Sequence, residues 1–302
     1  MNKPWQAEYP VSADTARSII HNQFPELCPA NVTILGKGFD NTVFGVNGEY
    51  VFRFPRRDIA VPLLSTESKL LPALVPVLPL KIPEPIFLGK PEKIFPFLFT
   101  GYRLVKGKLP VDESHQARAV SARKLAYFLR ALHDFPEEKA RALGVLPDSM
   151  GRINMQVRKQ KLASNIKQLF DAGYTDDAKI AGEYLYHAET VNNNSGNQLV
   201  HGDIHVRNVI LDEKGMLYGI IDWGDVHLGN AAVDISFIYS YFPPDTRKEF
   251  FSIYGEIDRE TEILARFKSV YTLINLFLYG HDQEDDTLIA LARKGLKLSM
   301  LD

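Results

Sequence analysis

The sequence predicts a two-lobed α+β fold: an N-terminal antiparallel sheet with one helix, followed by a mainly helical C-terminal lobe. Three observations lead there. Short apolar runs separated by glycine-containing turns fill residues 32–54, helical periodicity takes over from residue 113, and one hairpin with polar ends interrupts the helices near residues 199–225. With 302 residues, 45% of them hydrophobic and 24% charged, the chain can bury sizeable cores, and a change of character divides it into lobes of 1–106 and 107–302.

In the first lobe, Val32-Thr33-Ile34-Leu35 and Thr42-Val43-Phe44-Gly45-Val46 read as strands flanking Gly36-Lys37-Gly38-Phe39-Asp40-Asn41. Asn47-Gly48 reads as a two-residue hairpin turn into a third strand, Glu49-Tyr50-Val51-Phe52-Arg53-Phe54. Residues 65–74 carry the stripe Leu70, Leu71 and Leu74 but also Pro72, so a short or bent helix is expected. The proline-rich stretch 76–96 holds a strand-like piece at 82–88. Phe97-Leu98-Phe99 and Tyr102-Arg103-Leu104-Val105 then read as a hairpin about Thr100-Gly101, and Lys106-Gly107-Lys108 leaves the sheet.

In the second lobe, periodicity predicts helices over 117–133, 156–172, 177–191, 231–241, 246–254, 259–279 and 287–298, with the polar tract 192–197 ending the third. Between them, Val209-Ile210-Leu211 and Leu217-Tyr218-Gly219-Ile220-Ile221 flank the turn Asp212-Glu213-Lys214-Gly215. Folding there sets Asn208 opposite Asp222. Two oxygen donors then face one point from the ends of one hairpin, the donor type that Mg²⁺ carrying nucleotide phosphates requires, while Asp203 precedes them in a loop. His201, Asp203 and His205 also have the spacing of a hydrolytic zinc site, a reading that leaves Asn208 and Asp222 without a task.

The run His201-Gly202-Asp203 with Asn208 five residues after the aspartate, then Ile221-Asp222-Trp223-Gly224 and Asp234, resembles the phosphotransferase branch of the kinase fold that includes aminoglycoside and macrolide phosphotransferases and choline kinases. The resemblance implies a protein-kinase-like fold, a catalytic Asp203, metal ligands Asn208 and Asp222, a supporting Asp234, and Mg²⁺ with ATP or GTP as co-substrate. Its nucleotide site is expected in the first lobe. Gly36 and Gly38 would let backbone approach phosphates, and Arg53 stands where kinases carry a phosphate-contacting lysine, with Glu67 as its partner. Backbone from Leu104 to Lys106 would meet the base. An ordinary β-turn at the glycines and a solvated basic edge of Arg53, Arg56 and Arg57 are the plain alternatives.

The expected reaction is transfer of the γ-phosphoryl group to a hydroxyl of a small molecule, with an aminoglycoside-type antibiotic as the leading acceptor. Asp225, Asp282 and Glu284 would bind its amines, whereas Asp285 and Asp286 suit the start of the last helix equally well. A macrolide, a choline-like amine or another metabolite is the alternative acceptor. An inactive nucleotide-binding module is the alternative of another class, raised by arginine in place of lysine at residue 53.

A formal net charge of −2 offers no general attraction to nucleic acid, and Cys28, the single cysteine, rules out an intramolecular disulfide. The first ten residues lack the apolar run of a signal peptide, and no segment has eighteen uncharged apolar residues. A cytoplasmic enzyme with no nucleic-acid or membrane partner is expected.

Overall fold

The computed structural model describes residues 8–38, 40–111, 113–191 and 196–302. Its backbone forms two compact units, one of Met1–Val77 with Lys81–Lys106, the other of Leu78–Leu80 with Gly107–Asp302. Phe39 and most of the asparagine tract, residues 192–195, lie outside the described residues.

The first unit opens with α1 (Ala13–Gln23), an element that the sequence reading passes over; Ser12 caps it by accepting the Thr15 N–H at 3.1 Å. Five antiparallel strands follow, β1 (Val32–Lys37), β2 (Asn41–Val46), β3 (Tyr50–Pro55), β4 (Pro85–Gly89) and β5 (Phe99–Arg103), in the order β1-β2-β3-β5-β4. Phe44, Phe52, Phe54 and Phe99 are fully buried between this sheet and Ile19 and Ile20 of α1, with Phe54 stacked on Phe99 at 4.4 Å between ring centres.

Two turn expectations are corrected by the sheet. Val46 pairs with Tyr50, so the β2–β3 loop has three residues rather than two, with Asn47 and Gly48 both at positive φ. Asn47 also leans outward, accepting the Asn31 N–H at 2.8 Å and donating to the Leu27 carbonyl at 3.0 Å. The expected hairpin about Thr100-Gly101 does not form: both residues lie inside β5, with Gly101 opposite Phe52. A Cβ there would stand 2.5 Å from the Phe52 ring, so this glycine serves a close approach and not a turn.

The helix α2 (Ala60–Leu74) begins five residues earlier than expected and runs through Pro72. Proline is tolerated because it sits in the last turn, where the helix loses only one late hydrogen bond. Leu64, Leu70, Leu71 and Leu74 are buried, as is Glu67.

The second unit holds α3 (His115–His133), α4 (Glu137–Ala142), α5 (Met155–Asp171) and α6 (Thr175–His187), followed by β6 (Gln198–Val200), β7 (Val209–Leu211), β8 (Leu217–Ile220) and β9 (His227–Gly229). It ends in α7 (Ala232–Tyr241), α8 (Pro244–Tyr254), α9 (Arg259–Asp282) and α10 (Asp286–Ser299). Among these helices only α4 has no counterpart in the sequence reading, and the short strands β6 and β9 have none either. α7 is buried on all sides, which explains its apolar run without a ligand. The expected hairpin is β7 with β8, closed by Gly215 at φ 75° and by Asp212 accepting the Lys214 and Met216 N–H groups at 2.9 Å. Antiparallel β6 and β9 bring the start of the His201 loop beside the residues after Asp225. Among the described residues, no helix is long and apolar enough to cross a membrane.

Candidate active site

In the first unit, the β2–β3–β5 register places Arg53 between Val43 and Thr100 on the sheet. Its Nη1 donates to both Glu67 oxygens, at 3.1 and 3.0 Å, and the Glu67 side chain is 1% exposed. The pair therefore joins β3 to α2 through a charge-assisted contact in which one guanidinium nitrogen serves both carboxylate oxygens. Gly36 follows a register irregularity in β1, and nothing lies within 4 Å of where its Cβ would stand. Gly38 donates its N–H to the Asn41 carbonyl at 3.0 Å and accepts from Arg56. Arg57 pairs with Asp40, so Arg56 and Arg57 close this turn and are not a free basic edge. The Leu104 N–H is spent on the Glu49 carbonyl at 2.8 Å, which leaves its carbonyl and the Lys106 backbone for any base contact.

In the second unit, the Asp203 loop is clamped from below. Buried Asp234, on α7, accepts the His201 N–H at 2.8 Å and the Gly202 N–H at 2.9 Å, one on each carboxylate oxygen. His133 of α3 lies 3.2 Å from the same carboxylate and 2.7 Å from the Tyr254 hydroxyl. Burial opposes ionisation of Asp234, but His133, His201 and the Gly202 N–H outweigh it and hold the carboxyl below its usual range. Gly202 has φ 91°, and a Cβ there would lie 2.3 Å from the Asp225 carbonyl, so both conformation and space demand glycine.

His201 is structural: its Nε2 meets the Ile221 carbonyl at 3.1 Å, and its ring packs edge-on against buried Trp223. That ring nitrogen is committed to backbone, which removes it from the zinc set. His205 lies 3.3 Å from Asp203 Oδ2. Burial also works against the Asp203 charge, yet His205, Lys268 and His201 prevail and keep the carboxyl below the ordinary carboxylate range. The Asp203 side chain remains 34% exposed, an accessible carboxylate able to accept a proton from a hydroxyl.

Asn208 donates Nδ2–H to the Asp203 carbonyl at 2.8 Å, which turns its amide oxygen to other work. Its own carbonyl accepts the Ile221 N–H at 2.9 Å across the hairpin, next to Asp222. Asp222 adopts φ 65°, a left-handed conformation rare for a residue with a side chain and characteristic of functional positions. An amide oxygen and a carboxylate at these two places are hard oxygen donors, and they fit Mg²⁺.

The three carboxylates expected to bind amines divide. Glu284, at φ 55°, lines a cavity of about 560 Å³ with Arg207, Tyr279, Gln283, Asp285 and Asp286. Asp282 is exposed and does not line it. Asp225 is paired with Arg152 while its side chain stays 47% exposed. Asp285 caps α10 by accepting the Leu288 N–H at 2.9 Å. Sequence reading also passed over Arg152, which pairs with Asp225, and Lys268, whose charge acts on Asp203. In the sequence Lys268 is one of two cations, with Arg266, among the mostly apolar residues 264–277 of α9.

A kinase-type phosphotransferase is the class that this fold and loop define. The model of the phosphotransferase enzyme family matches residues 31–267, and the chain belongs to that family. Among solved structures, the chain is similar to the GDP complex of aminoglycoside 2'-phosphotransferase-IIIa, with 25% identity, a TM-score of 0.67, and 96% of this chain and 98% of that one covered. The GDP and kanamycin complex of APH(2")-IIIa matches at 25% identity and TM-score 0.64, over 93% and 97% of the two chains. Macrolide 2'-phosphotransferase type I shares the fold, at 18% identity and TM-score 0.58 over 95% and 98%. No curated protein sequence matches the chain.

Proposed function

We propose that the protein transfers the γ-phosphoryl group of ATP or GTP to a hydroxyl of a small-molecule acceptor of the aminoglycoside type, with Asp203 as the catalytic base. The observation that carries this reading is the accessible Asp203 carboxylate, on a loop clamped by Asp234 and bonded to Asn208. Asp203 would orient the acceptor hydroxyl and take its proton as the phosphoryl group moves. Asn208 and Asp222 would hold Mg²⁺, which when bound neutralises charge on the phosphate oxygens. Arg53, kept in place by Glu67, would contact phosphate; its planar guanidinium serves this role as a lysine does, with a different reach.

The acceptor class rests on the relatives crystallised with GDP and kanamycin and on the carboxylates of Glu284 and Asp286 in the cavity beside Tyr279. Mg²⁺-dependent transfer from ATP and from GTP to kanamycin, other aminoglycosides, macrolides and small amino alcohols tests the reading, with Asp203→Asn as the blank. Transfer that vanishes in the variant is expected. Transfer that survives it removes Asp203 from the mechanism, and nucleotide binding without any transfer returns the inactive-module reading.

A further inference from the structure

The cavity of about 560 Å³ that Glu284 lines brings together two stretches of the second unit that lie far apart in the chain. One is the turn between α9 and α10. Gln283 donates its N–H to the Tyr279 carbonyl at 3.0 Å, Glu284 to the His281 carbonyl at 3.2 Å and Asp285 to the Gly280 carbonyl at 2.8 Å. The end of α9 therefore folds back on itself, and Tyr279 and Glu284 line one cavity. The other stretch is the catalytic loop, which contributes Arg207, four residues after Asp203 and next to Asn208.

Arg207 is held at its backbone but not at its tip. Its N–H donates to His205 Nδ1 at 3.2 Å, and its guanidinium carbon lies over the Tyr279 ring, 4.8 Å from the ring centre. Among the described residues, the guanidinium has no hydrogen-bond acceptor and no carboxylate within ion-pair distance, although Glu284 and Asp286 line the same cavity. The residue is exposed, so its tip can return to water without breaking a hydrogen bond. An exposed cation–ring contact favours the seated guanidinium by only about fivefold, and a ligand ammonium competes for the same electron-rich face. Two cations on one face repel each other.

We propose that Arg207 is a specificity-determining residue of the acceptor site, a resident cation on the Tyr279 face that an acceptor ammonium displaces. The inference rests on the phosphoryl-transfer reading and deepens its acceptor site: one ammonium of the acceptor takes the place over Tyr279, where Glu284 and Asp286 supply the negative charge that Arg207 leaves unused. A polyamine that also engages those carboxylates offsets the displacement, whereas an acceptor without an ammonium has nothing to put in its place.

Calorimetric binding of kanamycin to the full chain at low salt tests it. Arg207→Gln should tighten binding about tenfold, and the gain should shrink to about twofold at about 0.5 M salt, where the charges are screened. Arg207→Lys, which keeps a cation, should bring no such gain. Tyr279→Leu removes the ring face: it should weaken kanamycin binding, and in its background Arg207→Gln should gain less than about threefold, because the two residues act as a pair. Binding that Arg207→Gln leaves unmoved or weakens, an equal gain in Arg207→Lys, or a full gain without the Tyr279 ring overturns the proposal. Asp203-dependent phosphorylation of kanamycin, with binding indifferent to Arg207→Gln, overturns this inference alone. Tighter binding in Arg207→Gln with no phosphate transferred from ATP or GTP overturns the phosphoryl-transfer reading alone, and absence of kanamycin binding in every one of these proteins overturns both.

Discussion

The Arg53–Glu67 pair and the Asp203 loop are both charged sites held in place by the fold, but by opposite means. Arg53 and Glu67 stand on regular elements, fourteen residues apart, with β3 fixed by ladder bonds and by Phe52 and Phe54 in an aromatic core. Asp203 stands on a loop whose position depends on polar groups from distant chain: Asp234 at thirty-three residues from His201, and His133 a further hundred and one residues from Asp234. A sheet residue can be aimed by register and apolar packing alone. A loop residue cannot, because its backbone N–H groups have no ladder partner and need a buried acceptor.

The sharpest break in that comparison comes from the loop. Asp203→Asn should lower kcat by about 10³-fold while leaving the KM for nucleotide near its original value, since it removes a proton acceptor and not a phosphate contact; steady-state kinetics with ATP and GTP checks this. Asp234→Ala should cost about 3 kcal/mol of stability, because the buried His201 and Gly202 N–H groups and His133 lose their acceptor. Urea unfolding measures it, and a loss below about 1 kcal/mol would remove the clamp from the argument.

Acid sharpens the same point. The folded Asp234 carboxyl titrates below its unfolded value, so its contribution is present above the ordinary carboxylate range and is lost as pH falls through the folded value. The stability gap between the protein and its Asp234→Asn variant should therefore be steady near neutrality and narrow below about pH 4. A gap that widens in acid would contradict the assigned direction.

Smaller effects are expected in the first unit. Gly101→Ala should cost about 2 kcal/mol, since a Cβ 2.5 Å from the Phe52 ring forces repacking of the aromatic core. Glu67→Gln should weaken nucleotide binding about tenfold, or about 1.4 kcal/mol, by loosening Arg53 while leaving the core intact. The smallest change, Gly48→Ala at φ 66°, should cost about 1 kcal/mol, because an L residue resists that conformation while nothing nearby obstructs the methyl group.

The physical range of each interaction explains how much was legible. The β7–β8 hairpin could be read directly because Asp203, Asn208 and Asp222 lie within twenty residues and their spacing is a property of one short turn. Helices of the second unit followed from periodicity, which records the buried face of each one. Gly101 misled because glycine signals a turn until Phe52 is seen across the sheet. The pairing of Asp225 was not legible for a similar reason: its partner, Arg152, lies seventy-three residues earlier in the chain.

Sequence alone determined the class of this protein. Alternating strands with a cation on the third, the Asp203–Asn208 spacing and the Asp222 turn are local patterns, and local patterns survive without knowledge of what packs on them. The tertiary structure decided which charges are free to act. It paired Asp225 with Arg152, bound Asp285 to a helix end, and tied the Asp203 loop to Asp234. Pairing is a property of distance in space, and only the folded chain sets that distance.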